Sequence, residues 1–366
     1  MKRLQLVVAT ILGAAPLAAQ GTATIGGLNL TGFVEVSYAY SGRSVGDTAI
    51  VGRLYDRLQN RFMLNALAIV LDKPHDPAKF SAGFHGELLF GQNASVIKSG
   101  GFNFSEHGDI PHLYVTLNIP TASGSGVQLK AGRIPTLLGL EVIESIANPN
   151  WSEGNQFVYV ENFTALGLSV ETKLSPHVDA QLRIINGWDQ VSDNNHRKSL
   201  MGRVGIYPDV RTSLGIVGYW GPEQPDDDTA ARYGVEALIW RKLGKVSLWI
   251  QGDYGREQAN AALPDPTQDA RWSAAGAWVT YDVNEGLGLA LRGDYVNDAN
   301  GARSSGVLGY PTTTGHDFTS ATATFNIRAW PDALLRPELR YDHSSMPSFD
   351  GAHEQVSFAV SLAYLF

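Results

Sequence analysis

Ionised side chains recur along this chain at positions that a period-two pattern aims away from an apolar face. Arg61, Arg183, Arg203, Arg232, Arg292, Arg336 and Arg340 all fall at such positions, as do Glu87, Asp179, Glu236, Asp253, Asp294 and Glu338. Charged groups do not face hydrocarbon cheaply, so they belong on the wall of a hydrated space. Guanidinium and carboxylate groups facing one another there break no bonds. They set a transverse field that orients small polar solutes. Three more carboxylates, Glu141, Glu144 and Glu153, lie in residues 132–156, GRIPTLLGLEVIESIANPNWSEGNQ, which is too apolar for a connection in bulk water. Folded inward, this stretch would narrow a pore and set its carboxylates against the wall arginines. The alternatives are a loop that caps the rim, and ion pairs that only brace a plugged interior.

Bond chemistry finds less support. The chain has no nucleophile-elbow motif, no HExxH and no close histidine pair at metal-ligand spacing; its nine histidines are scattered. With no cysteine it has no disulfide framework, thiolate zinc site or thiol nucleophile. Asp226, Asp227 and Asp228 could offer hard oxygen ligands to calcium, but beside Pro225 they read as a solvated loop. We therefore expect no catalytic residue, no metal and no cofactor.

The elements that would carry such a wall are strands. In residues 353–366, HEQVSFAVSLAYLF, Val356, Phe358, Val360, Leu362, Tyr364 and Phe366 are apolar, and the residues between them are small or polar. This is a strand greasy on one face and wet on the other. The pattern repeats upstream. Leu28, Leu30, Val34, Val36, Tyr38 and Tyr40 share one face, and Phe62, Leu64, Ala66, Ala68 and Val70 form the apolar stripe of a second strand. Trp272, Ala274 and Trp278 mark the same stripe in a twelfth. Sixteen strands result, joined by eight long and seven short connections, with fourteen and eighteen as alternative counts. Long loops alternating with short turns are the rhythm of an antiparallel transmembrane β-barrel, with long extracellular loops and short periplasmic turns. Aromatics near strand ends would form two interfacial girdles: Tyr38, Tyr40, Trp188, Tyr219, Tyr254, Trp272 and Tyr295 by the loops, and Tyr207, Trp240, Tyr281, Trp330, Tyr364 and Phe366 by the turns.

The first twenty residues, with Lys2 and Arg3 ahead of a short apolar run and the small residues Ala18 and Ala19, read as a secretory signal peptide. Residues 21–366 read as one barrel domain. The acidic balance, −8 over the whole chain, argues against a nucleic-acid partner. All-β architecture, export and an inward loop together point to an outer-membrane channel for small hydrophilic solutes. A barrel enzyme of lipase or protease type and a non-conducting adhesin or scaffold barrel are the competing readings.

Part of the chain also resembles a known family. Gly132-Arg133, Leu138-Gly139, Glu141, Ile143-Glu144-Ser145 and Asn148-Pro149-Asn150 look like the OmpL-like putative β-barrel porins, as do Asn186-Gly187-Trp188-Asp189, Asp193-Asn194-Asn195 and Lys198-Ser199. The resemblance implies an outer-membrane channel and supplies no substrate. The aromatic C-terminus is similar to the sorting signal read by the barrel-assembly machinery. Outer-membrane lipid and small solutes are the other expected partners; a homotrimer is one assembly left open.

Overall fold

The computed structural model describes residues 23–43, 46, 48–121, 126–305 and 314–366. The expected signal peptide lies outside them, as do parts of the connections at 121–126 and 297–315. Sixteen long strands follow in chain order: β1 (Leu28–Ser41), β2 (Phe62–Lys73), β3 (Ser81–Phe90), β4 (Leu113–Ile119), β5 (Val127–Pro135), β6 (Thr164–Ser175), β7 (Val178–Ile185) and β8 (Ser199–Asp209). The second half comprises β9 (Thr212–Pro222), β10 (Ala231–Leu243), β11 (Val246–Glu257), β12 (Ala270–Asn284), β13 (Leu287–Asp298), β14 (His316–Trp330), β15 (Ala333–Ser344) and β16 (Glu354–Leu365). A three-residue strand, Ala23–Ile25, pairs with β1, and a two-residue strand, Gly108–Asp109, with β3.

Each long strand pairs antiparallel with the next, and β16 pairs with β1, so the sheet closes into a barrel. Closure satisfies every ladder without a free edge, which hydrocarbon would penalise by several kcal/mol per unpaired group. At the seam, Phe366 and Gly32 exchange main-chain hydrogen bonds of 2.8 and 3.0 Å. A Cβ on Gly32 would lie 2.3 Å from the Ala68 carbonyl oxygen and 2.6 Å from the Phe366 ring, so only glycine lets the terminal ring seat there.

The outer surface is the lipid face. Leu168, Ile184, Ile216, Leu291, Phe358 and Leu362 are exposed, and their strand neighbours are buried on the inside. Tyr40, Trp220, Tyr254, Tyr295 and Tyr341 stand exposed towards the loop ends, and Tyr281, Trp330 and Tyr364 towards the turns, forming two belts. Trp188, Tyr219 and Trp272 instead lie inside, as does half-buried Trp240 against buried Trp249.

Two expected faces are reversed. In β2 the register slips where Glu35 pairs Ala66 and Val36 pairs Leu64, leaving Asn65 as an extra residue. Phe62 and Leu64 face lipid as expected, but past this bulge Ala66 and Ala68 turn inward and are fully buried. In β12, Trp272, Ala274 and Trp278 also point inward, and the lipid side is Ala275, Ala277 and Tyr281. The causes differ: in β2 the bulge exchanges the faces, whereas in β12 the lumen is filled by protein, so large apolar side chains find partners there.

Candidate functional site

The filling is residues 136–163, the third long connection, which turns into the barrel. It carries a short 3-10 turn, Ser145–Ala147, and a helix α1, Asn155–Val160. Its apolar residues explain the inward course. Leu138, Leu140, Ile143, Trp151 and Phe157 are buried, several of them against wall residues such as Trp278, Ala66 and Leu365. Gly139 adopts φ +80°, and a Cβ there would strike the Glu161 carboxylate.

An inward segment with little regular structure must have its main-chain groups satisfied, and the wall charges do much of this. Arg292 on β13 donates to Glu141 at 2.8 Å and to the Ser152 carbonyl at 2.5 Å. Arg336 on β15 donates to the carbonyls of Ser145 and Asn148 at 2.6 and 2.8 Å. Arg340, four residues on and on the same face, reaches the Glu153 carbonyl at 2.6 Å and Asn155 Oδ1 at 3.1 Å. Glu338 accepts from the N–H groups of Trp151 and Ser152, at 2.8 Å for Trp151. Across the lumen Glu236 accepts from Gly139 N–H at 2.7 Å, and Gln251 from Leu140 N–H at 3.0 Å. Asp253 accepts from the Gln156 amide at 2.6 Å. The β10–β15 wall and the segment form one buried polar network.

Residues singled out from the sequence therefore come together: Glu141, Glu153, Arg292, Arg336 and Arg340, with Glu236, Asp253 and Glu338. Their partnerships differ in part from expectation. Glu141 meets a wall arginine, and Trp278 Nε1 and Gly154 N–H also donate to it. Glu153 offers Arg340 its carbonyl, while its carboxylate accepts from the Asn148 amide at 3.0 Å. Burial and then the nearby Glu141 charge push the Glu153 carboxyl well above the usual range. Glu144 meets no arginine; its Oε1 lies 3.4 Å from His112 Nδ1. Burial would raise its pKa, but the His112 contact outweighs this and holds it down to about 2.

Along β4–β10 the segment leaves a gap. A cavity of about 210 Å³ is lined there by Lys130, Arg183 and Arg203 on the wall, with Glu144, Glu236 and His112 among the facing groups. Arg183 donates to the Pro135 carbonyl, and Arg203 pairs with Asp179 at 2.6 Å. A second cavity of about 660 Å³ opens below, between Asn148–Pro149 of the segment and Lys242, Lys245, Asp282 and Arg328 at the turn end. Arg232 is elsewhere, paired with Glu257 at 2.9 Å and lying over the Trp188 ring towards the loops. Arg61 is the outright correction. It lies just before β2, in a bend after Asn60 at φ +57°, and is exposed, so alternation does not extend to it. Lys130 and His112 were missed. Lys130 alternates on β5 like the arginines and could have been found by the same rule. Asp227 caps Thr229 and Ala230 N–H groups in an exposed turn, as a solvated loop does.

Solved structures share this architecture at low identity. The outer membrane channel DcaP of Acinetobacter baumannii matches at TM-score 0.65 and 14% identity, over 94% of this chain and 99% of that one. The anion-selective porin of Comamonas acidovorans matches at 0.62 and 11%, over 93% and 99%. OprB of Pseudomonas putida matches at 0.61 and 11%, over 93% and 94%. No curated protein matches the chain. A family model, however, spans residues 27–366, the whole barrel, and so the chain belongs to the family described as putative beta-barrel porin-2, OmpL-like, and is an outer-membrane porin.

Proposed function

We propose that the barrel passes small hydrophilic solutes or ions passively along the gap between the inward segment and the β4–β10 wall. The observation that carries this reading is the charge arrangement of the 210 Å³ cavity: Lys130, Arg183 and Arg203 on the wall, with Glu144 and Glu236 among the facing carboxylates. Opposed charge rows across a narrow wet passage select by size and dipole and need no bond chemistry. The segment sets the aperture, because its buried ion pairs hold it against the other half of the wall. In the same reading, copies assemble as homotrimers, outer-membrane lipid covers the apolar belt, and the barrel-assembly machinery reads the aromatic terminus at Phe366. The OmpT structures of Vibrio cholerae, one described as a trimer form, share the fold.

The test is planar-bilayer recording of the folded protein with a salt-gradient reversal potential. Discrete conductance steps are expected. Folded protein that inserts and gives none would refute a channel. Crosslinking in native membranes that traps only monomers would remove the trimer.

A further inference from the structure

The inner face of the β3–β4 pair carries a donor set that the segment-pinning network does not use. His85 and Glu87 stand two residues apart on β3 and face the lumen together. His112 lies opposite Glu87 immediately before β4, its carbonyl accepting from the Glu87 N–H at 2.8 Å. One ligating atom from each of the three lies within 4.8 Å of the other two. Glu144 approaches from the inward segment, so His112 Nδ1 is 2.9 Å from Glu87 Oε2 and 3.4 Å from Glu144 Oε1.

The set holds one unpaired donor atom: Glu87 Oε1 is buried without a hydrogen-bond partner, in a residue only 2% exposed. Buried groups left unpaired cost free energy and call for an explanation such as an ion. Neighbours also hold the third ligand in place. The His85 ring stacks on Tyr114 at 5.0 Å, and its Nδ1 lies 3.4 Å from Asp72 Oδ1. A carboxylate beside an imidazole is the usual outer support of a metal-ligating histidine.

We propose that His85, Glu87 and His112, with Glu144 as fourth donor, bind a divalent transition ion of the zinc type. Two imidazoles with carboxylates suit Zn²⁺ or Ni²⁺, whereas Mg²⁺ and Ca²⁺ take oxygen ligands. Tetrahedral ligation at about 2.0–2.1 Å sets donor atoms about 3.3 Å apart. The His112–Glu144 contact already has that spacing, and the wider spread closes by rotation of the partly exposed His85. The ion would replace any proton shared between His112 and Glu87, and that proton leaves to solvent. His112 and Glu144 line the 210 Å³ cavity, so an ion in the lumen reaches them. Occupancy would tie the segment to the wall on the side away from Arg292, Arg336 and Arg340.

The test is calorimetric titration of Zn²⁺ into folded, detergent-solubilised full chain, with Co²⁺ absorption to report nitrogen ligation. It reads binding directly, so it stands whether or not the barrel conducts. One ion per chain is expected, not displaced by millimolar Mg²⁺, with His85→Gln and Glu87→Gln each weakening affinity at least tenfold. His85→Gln at a partly exposed ring keeps the test valid if Glu87→Gln does not fold. Exposed His196, 3.5 Å from Asp228, supplies the control. Absence of binding at millimolar Zn²⁺, wild-type affinity in folded His85→Gln, or loss of binding in His196→Gln instead would each overturn the proposal.

Discussion

Replacing Arg292 by Met tests whether the inward segment is held by charge. The arginine side chain is fully buried, paired with Glu141 at 2.8 Å and Asp294 at 3.2 Å. It also donates to the Ser152 carbonyl. Methionine keeps much of the apolar stem and removes every donor. Breaking a buried pair by deleting one partner costs about 3–5 kcal/mol, because the other charge stays buried. Glu141 keeps donors from Gly154 and Trp278, and Asp294 keeps Asn155, so the lower end, about 3 kcal/mol, applies. At 1.4 kcal/mol per decade, the ratio of released to pinned segment rises about a hundredfold. The chain has no cysteine, so one introduced at half-buried Val158 is its sole thiol. Its maleimide labelling rate tracks the opening equilibrium. We expect labelling in Arg292→Met to quicken by about two orders of magnitude, together with larger and noisier single-channel conductance. Unchanged labelling and conductance in a folded barrel would mean that apolar packing, not the guanidinium, holds the segment.

Further variants separate charges that act on solute from those that act on structure. Glu144→Gln removes an ionised carboxylate from the cavity wall, and the reversal potential should move towards anion preference; Arg203→Gln should move it the opposite way. Glu153→Gln mimics the protonated form that burial already favours, and its reversal potential should match wild type at neutral pH. Arg61→Gln at the exposed rim should leave both conductance and selectivity unchanged, and a shift would return that residue to the passage. Gly32→Val drives a branched side chain into the Ala68 carbonyl and the Phe366 ring. Loss of the heat-modifiable folded band in gel electrophoresis checks it.

The barrel was legible because lipid imposes a strict alternation, and most strands obey it. Alternation failed where its physical premise failed. A single bulge at Asn65 exchanged the faces of β2 from Ala66 onward, and composition gives no warning of a bulge. Trp272 and Trp278 went inward because an apolar segment awaited them there. The inward course of residues 136–163 could be read from its apolar content and carboxylates. Its partners could not, since Arg336 and Arg340 bind carbonyls, and any residue supplies a carbonyl. His85 and His112 escaped notice for a related reason. The long connection between β3 and β4 separates them, and only strand pairing brings them face to face.

The seam between β16 and β1 has a kinetic consequence. Every other strand pair joins neighbours in the chain, whereas Ser41 and Val356, linked across the seam, stand 315 positions apart. The hairpins can form early from local contacts, but the seam must wait for the largest loop closure in the molecule. Until then two strand edges stay open, each a template for pairing with another chain. Seating the Phe366 ring over Gly32 makes the two edges fit each other better than a stranger's edge. We expect variants at that contact to lose yield through slow, aggregation-prone folding well before the finished barrel loses stability.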